Sequence, residues 1–378
     1  MTRIRLGMVG GGNDAFIGGV HRIASRIDDR FELVAGALSS TPGKSAASAE
    51  ALGIRRSYGS FEEMALAEAA RDDGIEAVSI VTPNHVHAAA AKAFLAQGIH
   101  VICDKPLTAT MAEATALEKA VSGAHALFIL THNYTGYPMI RQAREMVRTG
   151  ALGKLRIVQA EYPQDWLTSP MEKEGLKQAE WRTDPSRSGA GGSIGDIGTH
   201  AHNLACFVSG LQVESLAADL HCFGAGRTLD DNAHVMLRFA EGAKGLLWSS
   251  QVAPGNENAL KLRIYGDKGG LEWSQEDPNY LWFTPHGEPK RLLTRNGAGA
   301  IEASQAVSRI PGGHPEGYLE GFATIYTEAA DAIRAVQSGA KISAAMGNLP
   351  GIEAGMDGMR FINACVTSSK NNAAWTKL

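Results

Sequence analysis

Residues 75–106 read IEAVSIVTPNHVHAAAAKAFLAQGIHVICDKP. Two apolar runs, 75–83 and 100–106, each end in proline, and an alanine-rich stretch at 85–98 closes on a glycine between them. Short apolar runs bounded by turn residues predict buried strands, and the alanine-rich stretch predicts a helix with a C-terminal glycine cap. Strand, helix and strand in that order form a βαβ unit, whose strands run parallel. The alternation extends outward in both directions, with strands predicted at 4–9, 31–40 and 126–134 and helices at 20–27, 43–52 and 110–123. Residues 1–135 therefore predict a parallel sheet buried on both faces.

After residue 135 the pattern changes. A helix is predicted over 137–155, and then strand-like runs follow at 156–164, 216–223, 233–240, 243–252, 260–273 and 280–285. AEGAKG (240–245) and GDKGG (266–270) are turn signals. Residues 136–378 thus predict a second domain built on a large, mostly antiparallel open sheet. Helices at 315–336 and about 351–368 close the chain, with the option of packing back on the first domain. The polar, glycine-rich stretch 166–192 reads as a long functional loop.

Composition excludes several classes. The chain has 378 residues, 44% apolar and 20% charged, which is globular rather than disordered. A net charge of −4 with no basic stripe argues against nucleic acid as a partner. No apolar run approaches membrane-spanning length, and MTRIRLGMVGGGN lacks a signal-peptide pattern. Cys103, Cys206, Cys222 and Cys365 are scattered without metal spacing, which fits a reducing cytoplasm.

The first strand runs into Gly10-Gly11-Gly12. A glycine turn between a first strand and a first helix lets backbone N–H groups approach a pyrophosphate, so it predicts a dinucleotide site. The position where a third glycine is usual holds Ala15; the alternative is an enlarged turn through NDAFI, with Gly18 in the third role. At the end of the second strand stand Ser39, Ser40 and, further on, Lys44, with no carboxylate to read a ribose 2′-hydroxyl. Hydroxyls and a lysine there favour NADP over NAD. Lys105 in DKP ends a strand at the carboxyl edge of the sheet, where ligands bind in open α/β folds. In GAGGSIGDIGTHAHN (189–203), Asp196 and His200 are four apart, on one face if a helix carries both. Helix capping and a satisfied core histidine are the bland readings of the two. A metal at Asp196 and His200, or at His85 and His87, lacks a third ligand, and none is expected.

Taken together, the N-terminal glycine turn, TPNHVH, DKP and GGSIGDIGTH resemble the Gfo/Idh/MocA oxidoreductases over essentially the whole chain. The resemblance implies an N-terminal Rossmann domain, a C-terminal α/β domain whose open sheet mediates homo-oligomers (dimers or tetramers), and hydride transfer between NAD(P) and a ring hydroxyl of a sugar or polyol. Lys105 matches the catalytic lysine, and Asp196 and His200 match the Asp-x-x-x-His pair. The cofactor would meet Gly10, Gly12, Asn13, Ala15, Phe16 and Ile17 at the turn, Thr82, Pro83, Asn84 and His87 after the fourth strand, Asp104 and Lys105, and Asn133. Three departures stand out: Asp104 replaces the usual glutamate, the glycine turn is enlarged, and Asn203 stands where an aspartate often follows the histidine.

In chemical terms, oxidising a secondary alcohol needs a base while hydride leaves carbon. His200 suits the proton, Lys105 suits the alkoxide, and Asp196 orients the pair; which of His200 and Lys105 finally takes the proton is left open. Asp165 and Trp166 in YPQDW (162–166), Trp181 and Arg182 in EWR (180–182), and separately Tyr134 and His314, are candidates for reading sugar faces and hydroxyls. Two other functions compete with the dehydrogenase reading. One is a redox-neutral NAD-dependent glycosidase acting by C3 oxidation and elimination; the other is a non-catalytic cofactor-sensing regulator.

Overall fold

The computed structural model describes residues 2–13 and 15–378, with the backbone alone for Lys177. The chain divides into two compact units, residues 1–133 with Tyr318–Asp357, and Tyr134–Gly317 with Gly358–Leu378. The segment Tyr318–Asp357, which the sequence assigns to 136–378 with the option of packing back, clusters with the first unit.

The first unit is built on six strands: β1 (Ile4–Gly10), β2 (Phe31–Ala37), β3 (Arg56–Ser57), β4 (Ala77–Val81), β5 (His100–Cys103) and β6 (Phe128–Leu130). They lie in the order β3-β2-β1-β4-β5-β6 and are all parallel. This is the α/β doubly wound order, with its reversal between β1 and β4. The sheet needs cover on both faces. Gly7 faces one side, where a Cβ would stand 2.3 Å from Cε of Met64 in the helix Phe61–Ala69. On the other, Ile4, Leu6, Phe31, Ala77, Ile102 and Ile129 form a core with Val20 and Ala24 of Phe16–Ile27. Phe322, Ile325, Tyr326, Ala329 and Ile333 of the returning helix Tyr318–Gln337 complete it. In this layer the Tyr326 Oη lies 2.8 Å from both His21 Nδ1 and Ser79 Oγ.

The second unit carries β7 (Leu155–Pro163), β8 (Val213–His221), β9 (Asn232–Phe239), β10 (Lys244–Ser250), β11 (Lys261–Gly266), β12 (Gly269–Ser274), β13 (Tyr280–Pro285), β14 (Arg291–Thr294) and β15 (Thr376–Lys377). Their order is β14-β13-β12-β11-β7-β10-β9-β8-β15. Every pairing is antiparallel except β10 with β7. Alternation places Val158, Ala160, Val235, Leu237, Leu247, Leu262 and Ile264 inside. The helices Pro138–Arg148 and Thr199–Ser209 belong to the same unit. Both predicted turns appear, with Glu241 and Gly242 at positive φ in one and Asp267-Lys268 joining β11 to β12 in the other.

The fold class is as the sequence predicts; several element ends are not. The second strand stops at Ala37 rather than 40, and the sixth covers only Phe128–Leu130, because a 3-10 turn, Asn133–Gly136, follows. The helix expected over 137–155 ends at Arg148, two residues before Gly150 at φ +80°. The stretch 166–192 holds two short helices, Lys177–Arg182 and Pro185–Ser188. Among the described residues no helix is long and apolar enough to cross a membrane.

Burial sets an acid limit on this fold. His202 is enclosed, stacked on Phe361 with centroids 4.3 Å apart, and burial lowers its pKa to about 4. Burial likewise lowers His21 to about 4, partly offset by Asp104. Both rings stay neutral in the native state and charge on unfolding, so their contribution is full above the unfolded value of about 6.5 and is lost as pH falls toward 4. The His202→Met variant, volume-matched and untitratable, is expected to remove about one proton, ~1.4 kcal/mol per pH unit, from the acid slope of stability between those limits. Urea midpoints measured across that window check it.

Candidate active site

In the first unit, β1 delivers the glycine turn. Gly10 and Gly11 sit at φ +75° and +71°, a conformation open to glycine, and the chain then enters the helix Phe16–Ile27 with Ala15 at its N-cap. Asp14, inside the enlarged turn, lies outside the described residues. Gly18 takes the third role: a Cβ there would stand 2.4 Å from Gly11 Cα, so helix and strand close together only through glycine. A Cβ on Gly12 would stand 3.0 Å from the Leu38 carbonyl oxygen. The Arg22 guanidinium donates to the Gly11 carbonyl, which holds that oxygen on the helix side of the turn. No sequence signal marked Arg22. Asn13 and Phe16 are exposed at the mouth, with Ile17 half-buried. Beyond β2, Ser39 accepts from the Thr41 N–H, while Ser40 and Lys44 are exposed.

Farther along the same sheet edge, Thr82 and Pro83 lead into the helix Asn84–Leu95. His87 is fully enclosed, and its ring nitrogens each lie 2.9 Å from a carbonyl oxygen, those of Thr82 and Pro106. Sequence reasoning placed His87 on the cofactor; the structure encloses its ring between the post-β4 turn and the DKP turn, where one nitrogen donates to a carbonyl. Burial lowers its pKa. Asp104 accepts from the Lys105 N–H at 2.9 Å and from Thr131 Oγ1 at 2.8 Å, which fixes the backbone from which half-buried Lys105 projects. Asn133 is buried with Nδ2 unpartnered, and the buried Thr82 hydroxyl is also unpartnered. An orphaned buried polar group costs about 1–3 kcal/mol. Thr82, next to Gly10, and Asn133, after β6 on the same carboxyl edge of the sheet, fit a polar dinucleotide that would complete them.

In the second unit, a single π-helical turn, Ile194–Gly198, precedes the helix Thr199–Ser209, so Asp196 and His200 lie on consecutive helical segments. π turns of this kind are frequent at functional sites. Oδ2 of Asp196 accepts from Gln251 Nε2 at 2.9 Å and from Arg182 Nε at 3.1 Å. The Arg182 guanidinium lies 4.3 Å above the Trp181 ring. His200 is buried, with the Tyr134 ring edge-on at 4.9 Å and Tyr162 at 6.2 Å. Tyr162 donates to Asn258 Oδ1 at 2.6 Å, so in the 2.5 Å Tyr134–Tyr162 contact Tyr134 is the donor. Burial raises the Tyr134 pKa, which keeps the phenol protonated. Gln164 donates to the same Asn258 oxygen and accepts from Trp166 Nε1. Asp165 turns away to accept from the Gly255 N–H. His314 is exposed in the 311–317 turn, its carbonyl accepting from Arg295. Gln251, Asn258 and Tyr162 escaped the sequence reading; each is an ordinary polar residue in or beside a strand.

Two family profiles match the chain. The oxidoreductase family with an NAD-binding Rossmann fold matches residues 4–132, and the GFO/IDH/MocA C-terminal domain matches 140–272. The chain belongs to the Gfo/Idh/MocA family of NAD(P)-dependent oxidoreductases. Among solved structures, an oxidoreductase from Sinorhizobium meliloti is 62% identical over 100% of both chains, with TM-score 0.90. An inositol dehydrogenase homologue from Azotobacter vinelandii, complexed with NADH and myo-inositol, is 34% identical, with TM-score 0.92 over 100% of this chain and 98% of that one. A levoglucosan dehydrogenase from Pseudarthrobacter phenanthrenivorans is 28% identical over 73% of this chain and 75% of its own length.

For this Gfo/Idh/MocA oxidoreductase the Gly18–Gly11 approach yields a direct test. Gly18→Ala forces the glycine turn off the helix and is expected to weaken NADH binding by about tenfold or more, in line with the 1–3 kcal/mol typical of overpacking. Fluorescence titration of NADH reads the change.

Proposed function

We propose that this enzyme transfers a hydride between NAD(P) and a secondary ring hydroxyl of a sugar, glycoside or cyclitol. The observation that carries the reading is the environment of His200: a buried imidazole edged by two phenols, on the helix that follows the turn where Asp196 is bound by Arg182. It offers a proton acceptor among groups suited to several hydroxyls. The inositol and levoglucosan relatives support the substrate class.

In the oxidative direction His200 takes the hydroxyl proton. Lys105 stabilises the developing alkoxide by its charge. Asp196, tethered by Gln251 and Arg182, orients the base, and Tyr134, Arg182 and Trp166 read the ring. Bound NAD(P) supplies the hydride acceptor. Gly10, Gly12, Asn13, Ala15, Phe16, Ile17, Thr82, Pro83, Asn84, Asp104 and Asn133 would hold it, and Ser39, Ser40 and Lys44 favour NADP. Four free thiols support a cytoplasmic location. Exposed Ile157, Met236, Leu246, Trp282 and Leu292 on the outer sheet face support a homo-oligomer formed there.

The decisive assay is a panel of myo-inositol, levoglucosan, monosaccharides and glycosides with NAD and with NADP, read by absorbance of reduced cofactor. Turnover of none of them refutes the reading; glycoside cleavage without net reduced cofactor points to the redox-neutral glycosidase instead.

Lys105→Met is expected to lower kcat by about 10²-fold or more while leaving NADH affinity within a few-fold, the size usual for an electrostatic stabiliser. A loss below about tenfold removes it from the transition state.

With His200 as base, oxidation rises with pH through its titration and then levels off. His200→Asn is expected to flatten that profile and to lower kcat by about 10²–10⁴. The profile is measured where a deuterium isotope effect on the hydride shows that chemistry limits. A retained inflection would transfer the base role to Lys105.

A further inference from the structure

We propose that Asp230 and Asp231, the dipeptide that precedes β9, are positioning residues for the substrate half of the site: Asp230 sets the π-helical turn that presents Asp196, and Asp231 sets the loop around Ser169–Glu172 through Arg227. The inference rests on the reading of Asp196 and His200 as the substrate half.

The helical segment that begins at Ile194 lacks a local cap. Ser193 occupies its N-cap position, but its hydroxyl caps nothing and is buried without a partner. The orphan N–H groups are taken by a residue 36–38 positions away: Asp230 accepts from Gly192 N at 2.7 Å through Oδ1 and from Ile194 N at 2.8 Å through Oδ2. Its main-chain carbonyl accepts from Ser193 N at 2.7 Å. The two backbones approach so closely that a Cβ on Gly192 would stand 2.0 Å from that carbonyl oxygen. A serine or aspartate cap within the segment would satisfy the N–H groups but would move with the helix. A cap from the start of β9 pins the helix to the sheet, and with it the turn that carries Asp196.

The arrangement is expensive, which argues for a purpose. Asp230 is buried, its side-chain partners are backbone N–H groups, and a second carboxylate stands next to it in sequence. Burial pushes its pKa up to about 6 in spite of the two N–H groups. A buried carboxylate without a cation is costly and is seldom retained without one.

Asp231 continues the link. Its carbonyl accepts from Gln251 N at 2.8 Å, and the Gln251 side chain reaches Asp196 Oδ2, so Asp196 is fixed from two directions. The Asp231 carboxylate accepts from Phe223 N, Gly224 N and the buried Arg227 Nη1. Arg227 in turn grips both oxygens of Glu172, at 3.0 and 3.1 Å, and donates to the Ser169 carbonyl. One dipeptide thereby governs the base-bearing helix through its first residue and the polar loop through its second.

The test compares wild type, Asp230→Asn and Asp231→Asn, all at a temperature where each is fully folded. An asparagine keeps one acceptor oxygen and turns an NH₂ toward the other N–H, so Asp230→Asn shifts the turn. Misplacement by about 1 Å costs ~10²-fold in rate, so we expect kcat to fall by about 10–10²-fold with KM for the sugar within about threefold. Asp231→Asn releases the loop and is expected to raise KM for myo-inositol or levoglucosan by about fivefold or more, with kcat less affected. Equal losses in kcat and KM in both variants, or an Asp230→Asn enzyme with wild-type kcat, would overturn the assignment.

Amide hydrogen exchange needs no substrate and separates the two readings. Asp230→Asn should speed exchange over 192–198 and spare 169–176, and Asp231→Asn the reverse; unchanged or interchanged patterns overturn the proposal. If wild type turns over none of the panel while exchange follows the expected split, the catalytic reading has failed and the positioning has not.

Discussion

A parallel sheet has no face that water can cover, and the first unit is organised by that constraint. The segments between its own strands leave part of one face to be closed by a helix that starts 188 residues after the last strand ends at Leu130, Tyr318–Gln337. That helix brings Phe322, Ile325 and Ile333 to the sheet, and it brings the Tyr326 hydroxyl to His21 and Ser79. The glycine turn depends on this layer because the helix that begins at Phe16 shares one core with the sheet and the returning helix. With the helix so held, Gly18 can rest on Gly11 and open backbone N–H groups outward.

The second unit concentrates its polar residues by a different device. Its one parallel pairing, β7 with β10, sets Tyr162 opposite Ser249 and Pro163 opposite Ser250, so two strands end side by side. β9, antiparallel to β10, begins at that same edge, with Asn232 opposite Ser250. Strand ends are where side chains leave the ladder and become free for chemistry. Tyr162, Gln164, Asp230, Asp231 and Gln251 all stand at this edge, and the π turn carrying Asp196 is bonded to it through Asp230 and Gln251. An all-antiparallel order would have scattered these ends over both edges of the sheet.

Charge placement follows burial. Asp196 has an arginine and an amide for partners, Arg227 is held between two carboxylates, and Asp230 has backbone N–H groups alone. Buried ions in proteins are kept where geometry repays desolvation, and here each arrangement immobilises a segment that the proposed chemistry uses. The enclosed histidines His21, His87 and His202 play no such part; their rings pack and tie the chain together, and burial holds their pKa values down.

Alternation, length and turn residues are local properties, so the sequence by itself determined the parallel first sheet, the large second sheet and the order of their elements. It also determined the glycine turn and brought Lys105, Asp196 and His200 to notice, because a motif is short and its physical reason acts within a turn or two. Element ends such as Ala37, Leu130 and Arg148 were less legible, since competing turns and burial decide where a ladder or helix stops. Only the tertiary structure decided that His87 is enclosed, that Gly18 completes the turn, and that Gln251, Arg182 and Asp230 hold the Asp196 segment. Those contacts join residues 14 to 55 positions apart in the second unit. They exist because strand pairing carries distant segments to one sheet edge, and no local pattern of side chains records which edge that is.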